Sequence, residues 1–154
     1  MESTVDLELI DYRRGRADDR WWMPPFDWAV VYEHPHWWNR QLGDDPWFVQ
    51  VLECDVEVAR IEFDDPGGIN PSYANVPVLG DERLEIQFIE VASVARGRGI
   101  GTEVVHRLAD RHPGRRLFAY SEEADRFWVS VGWEPLYDPG PGSVGRTLFI
   151  QPLQ

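Results

Sequence analysis

The sequence predicts an α/β fold in which helices flank a mixed, mostly antiparallel central sheet. Three observations carry that reading. Two β-rich runs, Trp47 to Leu52 and Val56 to Phe63, join around Glu53–Asp55 in the pattern of a hairpin. From Leu84 onward the pattern alternates strand, helix, strand, helix, strand, which suits a layered α/β sandwich. Between the first of these strands and its helix lies a basic, glycine-dense turn, Arg96-Gly97-Arg98-Gly99-Ile100-Gly101.

Each element has a local reason. Leu7 to Tyr12 reads as a first strand. Across residues 13–46, Pro24, Pro25, Pro35 and Pro46 break any long element. Within that stretch Trp28 to Tyr32 reads as a short strand and Trp37 to Leu42 as one or two helical turns. Residues 64–80, with Gly67, Gly68, Pro71, Pro77 and Gly80, read as a loop. Leu84 to Val91 is the next strand. Gly101 to about His112 is a helix with Val104, Val105 and Leu108 inward, stopped by Pro113-Gly114. Leu117 to Tyr120 is a short buried strand. Ser121 is the expected N-cap of a second helix, with Glu122 and Glu123 in its first turn. Ala124, Phe127, Trp128 and Val131 then share one apolar face, and Gly132 suits the left-handed position that ends it. Thr147 to Gln151 is a last strand, after a flexible D-P-G-P-G-S stretch.

Composition narrows the function. A chain of 154 residues is read as one domain, 1–154, with a Trp-rich segment over 1–46. No run is long enough to span a bilayer, and the acidic N-terminus (Glu2, Asp6, Glu8) lacks a signal pattern, so the expectation is a cytoplasmic protein without a membrane partner. The single cysteine, Cys54, excludes an internal disulfide. A formal charge of −12 argues against nucleic acid as a partner and favours cationic molecules. His34-Pro-His36 beside Glu33 lacks the further spaced ligands a metal site needs, so no metal is expected.

The glycine turn is a candidate anion cradle. A helix N-terminus offers unpaired N–H groups and a positive dipole end, and arginine forks suit phosphate. The dinucleotide fingerprint would need glycine at 102, which is Thr102, and the P-loop's Lys–Ser/Thr pair is absent. The plainer reading is a turn with solvated arginines, but three glycines spaced by two serve no ordinary turn. The spacing fits [Q/R]-x-x-G-x-[G/A] with Arg96, Gly99 and Gly101 in the fixed places. With Ala124-Asp125-Arg126-Phe127-Trp128-Val129-Ser130-Val131-Gly132-Trp133 following at the right distance, the chain resembles the GNAT superfamily of acyl-CoA-dependent N-acyltransferases over roughly residues 47–151.

That resemblance implies a GNAT-like fold, an acetyl-CoA-binding core over 84–133, and acetyl-CoA as co-substrate. It implies cofactor contacts from the backbone of Val91, Ala92 and Ser93, whose amides would face the acetyl carbonyl. It adds the loop Arg96, Gly97, Arg98, Gly99, Ile100, Gly101 and Thr102, together with Ser121 and Trp128. Arg107, Arg111, Arg115 and Arg116 would extend a local basic island in the acidic chain. The acceptor would be a primary amine: a small cationic amine, a lysine or an N-terminus. A homodimer is compatible with it.

The base should be a carboxylate. Histone-type members carry a glutamate eleven positions before the loop's first residue, which falls on Glu85. Glu90 is the second candidate. Strand alternation puts the two on opposite faces, and a water relay is the third route. Two departures stand out. The family's acidic tyrosine falls at Trp128, and indole cannot supply that proton. The family's asparagine falls at Ser121, and Tyr120 or Tyr137 would have to replace the phenol. The competing class is a non-catalytic acyl-CoA-binding protein. The tryptophans Trp21, Trp22, Trp28, Trp37, Trp38 and Trp47 are either core packing or an aromatic wall for a cationic acceptor.

Overall fold

The structure is a computed structural model that describes residues 6–14, 22–40, 42–140 and 145–153. Seven strands run in the order β1-β2-β3-β4-β5-β7-β6. Only β4 and β5 pair in parallel among the registers described. The strands are β1 (Leu7–Arg13), β2 (Trp47–Glu53), β3 (Val56–Asp64), β4 (Arg83–Val91), β5 (Arg116–Tyr120), β6 (Glu134–Leu136) and β7 (Leu148–Ile150). The helices are α1 (Ile100–Arg111) and α2 (Asp125–Val131). No helix among the described residues is long and apolar enough to cross a membrane.

The chain divides into two compact units, 1–63 with 88–104, and 64–87 with 105–154. In the first, β1-β2-β3 form an antiparallel meander. The β2–β3 link is tight because Cys54 and Asp55 both sit at positive φ (50° and 66°), as a two-residue hairpin turn demands. Phe26 packs edge-on against both Trp38 and Phe48, with Tyr12, Trp22, Trp37, Leu42 and Phe88 around them. In the second unit the core is Tyr73, Phe118, Leu148 and Ile150, covered by Ile69, Val76 and Leu79 of the 64–80 loop. Val104, Val105 and Leu108 of α1 are fully buried, as their spacing requires.

Four local expectations need correction. Trp28 to Tyr32 is not a strand. The Asp27 carboxylate accepts the Ala29 N–H (3.1 Å) and the Asp27 carbonyl accepts the Val30 N–H (3.1 Å), closing a turn instead. The helical turn expected over Trp37 to Leu42 is a 3₁₀ turn at Pro35–Trp37, opened by the proline. Ser121 does not cap α2. Its Oγ accepts the Ala124 N–H (2.9 Å), but Glu123 at φ 57° breaks helical geometry and α2 starts at Asp125. β6 was not anticipated: three residues containing Pro135 carry no strand pattern of their own and pair with β7. Residues 141–143 of the D-P-G-P-G-S stretch, and Trp21, lie outside the described residues.

Candidate functional site

The glycine turn has the backbone its sequence suggests. Gly97 and Gly99 adopt φ of 77° and 76°, and a Cβ at either would meet nothing within 4 Å. Glycine is therefore required there by conformation, and the space in front of it is open. The first intrahelical bond of α1 runs from the Glu103 N–H to the Gly99 carbonyl (3.1 Å). The N–H groups of Ile100, Gly101 and Thr102 precede it and have no acceptor within the helix. An open backbone, three amide donors and a dipole end together fit an anionic phosphate group.

The arginines of the turn are already matched by acids. Arg98 makes a two-pronged pair with Glu53 (2.8 and 2.9 Å). Arg96 holds Glu33 at 2.5 Å and reaches Glu90 at 3.6 Å. These bonds keep the carboxyls of Glu33 and Glu53 below the usual carboxylate range and hold the Arg98 guanidinium above its own. The expected extension of the basic island is also partly committed. Arg115 pairs with Asp65 (2.5 Å) and Arg116 donates to the Gln151 carbonyl.

At the end of β4, the Ala92 N–H donates to the Val58 carbonyl (2.8 Å) and the Ser93 N–H to the Val31 carbonyl (3.0 Å). Those two amides are satisfied inside the protein, so neither Ala92 nor Ser93 offers the free N–H expected to face the acetyl carbonyl. Glu90 is buried and saturated. One carboxylate oxygen accepts the His34 backbone N–H (2.9 Å) and faces His34 Nδ1 (3.0 Å), and the other accepts Trp38 Nε1–H (2.9 Å). The His34 ring lies flat on Trp37, 4.0 Å away and 6° from parallel.

Glu85 meets the opposite environment, in the second unit. Gly67, at φ 80°, lies so close over it that a Cβ there would come within 2.5 Å of the Glu85 Cβ. The Gly68 backbone donates to its carboxylate, and among the described residues no ion pair reaches it. Burial, reinforced by Asp64 nearby, pushes its carboxyl up to about 7, against a smaller opposing pull from Arg146. Beside it opens a pocket of about 540 Å³ lined by Gly68, Asn70, Tyr73, Tyr120 and Arg146, among others. Arg146 pairs with Glu122 and stacks over Tyr120 (5.0 Å). The Tyr120 hydroxyl accepts the Asn70 N–H (2.8 Å), and burial raises its pKa.

Trp128 is buried against Trp133 (4.7 Å) and stacks on Phe149 (6.4 Å), a packing role. Of the described N-terminal aromatics, Phe26, Tyr32, Trp38 and Trp47 are buried, whereas Trp28 is exposed. Phe26, Trp28 and Tyr32 do cage a cation, but it is the protein's own Arg60, at 4.7, 4.9 and 4.2 Å. Glu57 holds that guanidinium at 2.8 Å and takes the Tyr32 hydroxyl. The His34–Glu90 pairing escaped sequence reasoning because 56 positions separate the partners. Its only trace was a histidine pair set between proline breaks.

No family model matches the chain, and no curated protein sequence matches it. Solved structures do. An acetyltransferase from Thermus thermophilus is similar at a TM-score of 0.53 and 20% identity, over 70% of this chain and 64% of that one. The chain thus spans less than two thirds of that relative's length. A bacterial toxin is similar at a TM-score of 0.59 and 11% identity, over 96% and 90% of the two chains. YhhK from Escherichia coli, an N-acetyltransferase by name and bound to coenzyme A, gives a TM-score of 0.51 and 12% identity over 94% and 99%. The chain has the fold of the GNAT acetyltransferases.

Proposed function

We propose that the protein transfers an acetyl group from acetyl-CoA to a primary amine: a small cationic amine, a lysine or a protein N-terminus. The observation that carries this is the open backbone cradle at Gly97 and Gly99, set at the N-terminus of α1 on a GNAT fold. The coenzyme A in the YhhK structure supports the same ligand class. Acetyl-CoA supplies an activated thioester.

The chain's residues then divide the work. The N–H groups of Ile100, Gly101 and Thr102 and the backbone of Gly97 and Gly99 take the pyrophosphate, with Arg96 and Arg98 beside them. Val91, Ala92 and Ser93 line the pantetheine arm, and Ser121 contributes through its hydroxyl. Glu85 accepts the proton of the incoming ammonium. A carboxyl near neutrality suits that task, since it is half-ionised where an amine is still protonated. The adjoining pocket, with Tyr73 and Tyr120 in its wall, takes the amine's side chain.

Calorimetry with acetyl-CoA tests the cofactor half. Micromolar binding is expected, lost or strongly weakened in Gly99→Val, where a β-branched residue must adopt φ near 76°. Unchanged affinity in that variant sinks the assignment. Release of free CoA across a panel of amines tests the catalytic half. Trp128 in place of a phenol favours one alternative, a non-catalytic acyl-CoA-binding protein, which would bind the thioester without any turnover.

A further inference from the structure

We infer that His34, oriented by Glu90, is the general acid that protonates the departing thiolate. The inference rests on the acetyl-transfer reading above and on residues of the first unit alone. Acyl transfer must end with a proton on sulfur. The aromatic groups that sequence comparison offers for that task are poorly suited. Trp128 is buried and carries no acidic proton. Tyr137 is 61% exposed, and the Tyr120 hydroxyl is engaged by the 64–80 loop with its acidity weakened by burial.

His34 is built as a proton-transfer group. A carboxylate can only accept, so the Nδ1 facing Glu90 at 3.0 Å carries a hydrogen. Nε2 is then the nitrogen left to give up and regain a proton. Histidine is the side chain suited to do so near neutral pH. The ring cannot turn away. Trp37 stacks on its face and is itself backed by Phe88 at 4.9 Å. The same Glu90 oxygen takes the His34 backbone N–H, and Trp38 fixes the other oxygen. A carboxylate buried to this depth that takes both the backbone and ring nitrogens of one histidine on one oxygen, with Arg96 3.6 Å from that oxygen, is a positioning residue.

The placement agrees. The Ser93 N–H to Val31 carbonyl bond lays the Val31–His34 segment along Val91–Ser93, the strand end assigned to the acyl arm. The charged groups facing the ring are Glu90 and Glu33 (its Oε1 4.0 Å from Nε2), with Arg96 bridging those two carboxylates and His36 at 6.1 Å between ring centroids. In the step, the amine nitrogen bonds to the acetyl carbon and the carbon–sulfur bond breaks with its electron pair on sulfur. The Nε2–H proton moves to that sulfur, leaving a thiol and a neutral imidazole that solvent reprotonates.

The test joins nuclear magnetic resonance to kinetics on the full chain. The ¹⁵N shifts of His34 give its titration midpoint in the free protein. The alkaline fall of kcat/KM with acetyl-CoA should share that midpoint, since this parameter reports the free enzyme. His34→Gln should bind acetyl-CoA within about twofold of wild type, lower kcat by about ten- to hundredfold and abolish the alkaline fall. Glu90→Gln should lower kcat far more than it changes acetyl-CoA affinity, because the ring then loses the carboxylate that orients it. The inference is overturned if the two midpoints differ in wild type, a readout that survives any folding failure of the variants. It is overturned equally if His34→Gln keeps the alkaline fall, or removes the acidic limb instead. Wild type that fails to bind acetyl-CoA would sink the proposed function itself, a separate result.

Discussion

Glu90 and Glu85 lie five residues apart on one strand and meet opposite surroundings. Glu90 has every oxygen engaged, by two N–H groups of His34, the indole of Trp38 and the charge of Arg96. Glu85 sits under a glycine loop with one backbone donor and no ion-pair partner among the described residues. The first arrangement fixes a charge in place. The second makes the charge costly and leaves it free to come and go. The pairing seen at Glu90 recurs within the first of the two units. In the first, the buried carboxylates Glu57, Glu62 and Glu90 all face arginine, with Arg60, Arg40 and Arg96 as partners. A carboxylate that must hold a neighbour needs satisfied oxygens, whereas one that must take up a proton needs the reverse.

The largest effect should come from Glu85→Gln. Loss of a positioned base is expected to lower kcat at pH 7 by about 10²–10⁴, with acetyl-CoA affinity unchanged and partial recovery at high pH where free amine is abundant. With the carboxyl at about 7, wild-type kcat/KM should rise with pH through that value, because only the ionised form accepts a proton. Glu90→Gln should retain that acidic limb. Steady-state pH profiles of the two variants decide the matter. If both lose the limb, or neither does, the comparison fails.

Stability should separate them next, and with opposite sign. Glu90→Gln replaces an acceptor with an amide whose NH₂ must face donors, costing about 2–4 kcal/mol in urea unfolding at pH 7. Glu85→Gln should stabilise, by about 1–3 kcal/mol at pH 8. The sign follows from the raised carboxyl. The folded chain keeps a proton that the unfolded chain has released, so stability falls as pH climbs from about 4.5 to about 7 and then levels. At pH 4 the Glu85→Gln gain should vanish. A gain independent of pH would mean that burial is not what perturbs Glu85.

Much of this was legible in residue order, and the limits are physical. β4, the turn and α1 could be read because their signals are local: an apolar run, three glycines, a 3.6-residue apolar period. The hairpin at Cys54–Asp55 was legible for the same reason. Trp28 to Tyr32 misled because its apolar run looks like a strand, while one upstream carboxylate, Asp27, turns the chain. Ser121 is the right residue type for a cap one turn too early. The difference between Glu85 and Glu90 could not be read at all. It depends on Gly67 closing over one and on His34 and Trp38 arriving at the other, contacts made across many positions of sequence.

The smallest expected effect concerns the pairing of surface charges in the first unit. Arg98 faces the cofactor turn but spends its fork on Glu53. An incoming phosphate must share or displace that carboxylate, and the net charge of the pair is zero. Glu53→Gln leaves the arginine free at nearly constant shape, so acetyl-CoA should bind about two- to fivefold tighter at low salt, the range of exposed ion pairs. The gain should shrink as ionic strength rises toward physiological values, because Arg98 is exposed and its charge is screened. Arg98→Ala should do the reverse, leaving Glu53 to repel the anion. Calorimetry at two salt concentrations reads both variants. If Glu53→Gln weakens binding instead, Glu53 is positioning Arg98 for the ligand, and the first unit would use its paired acids as holders throughout, as Glu90 holds His34.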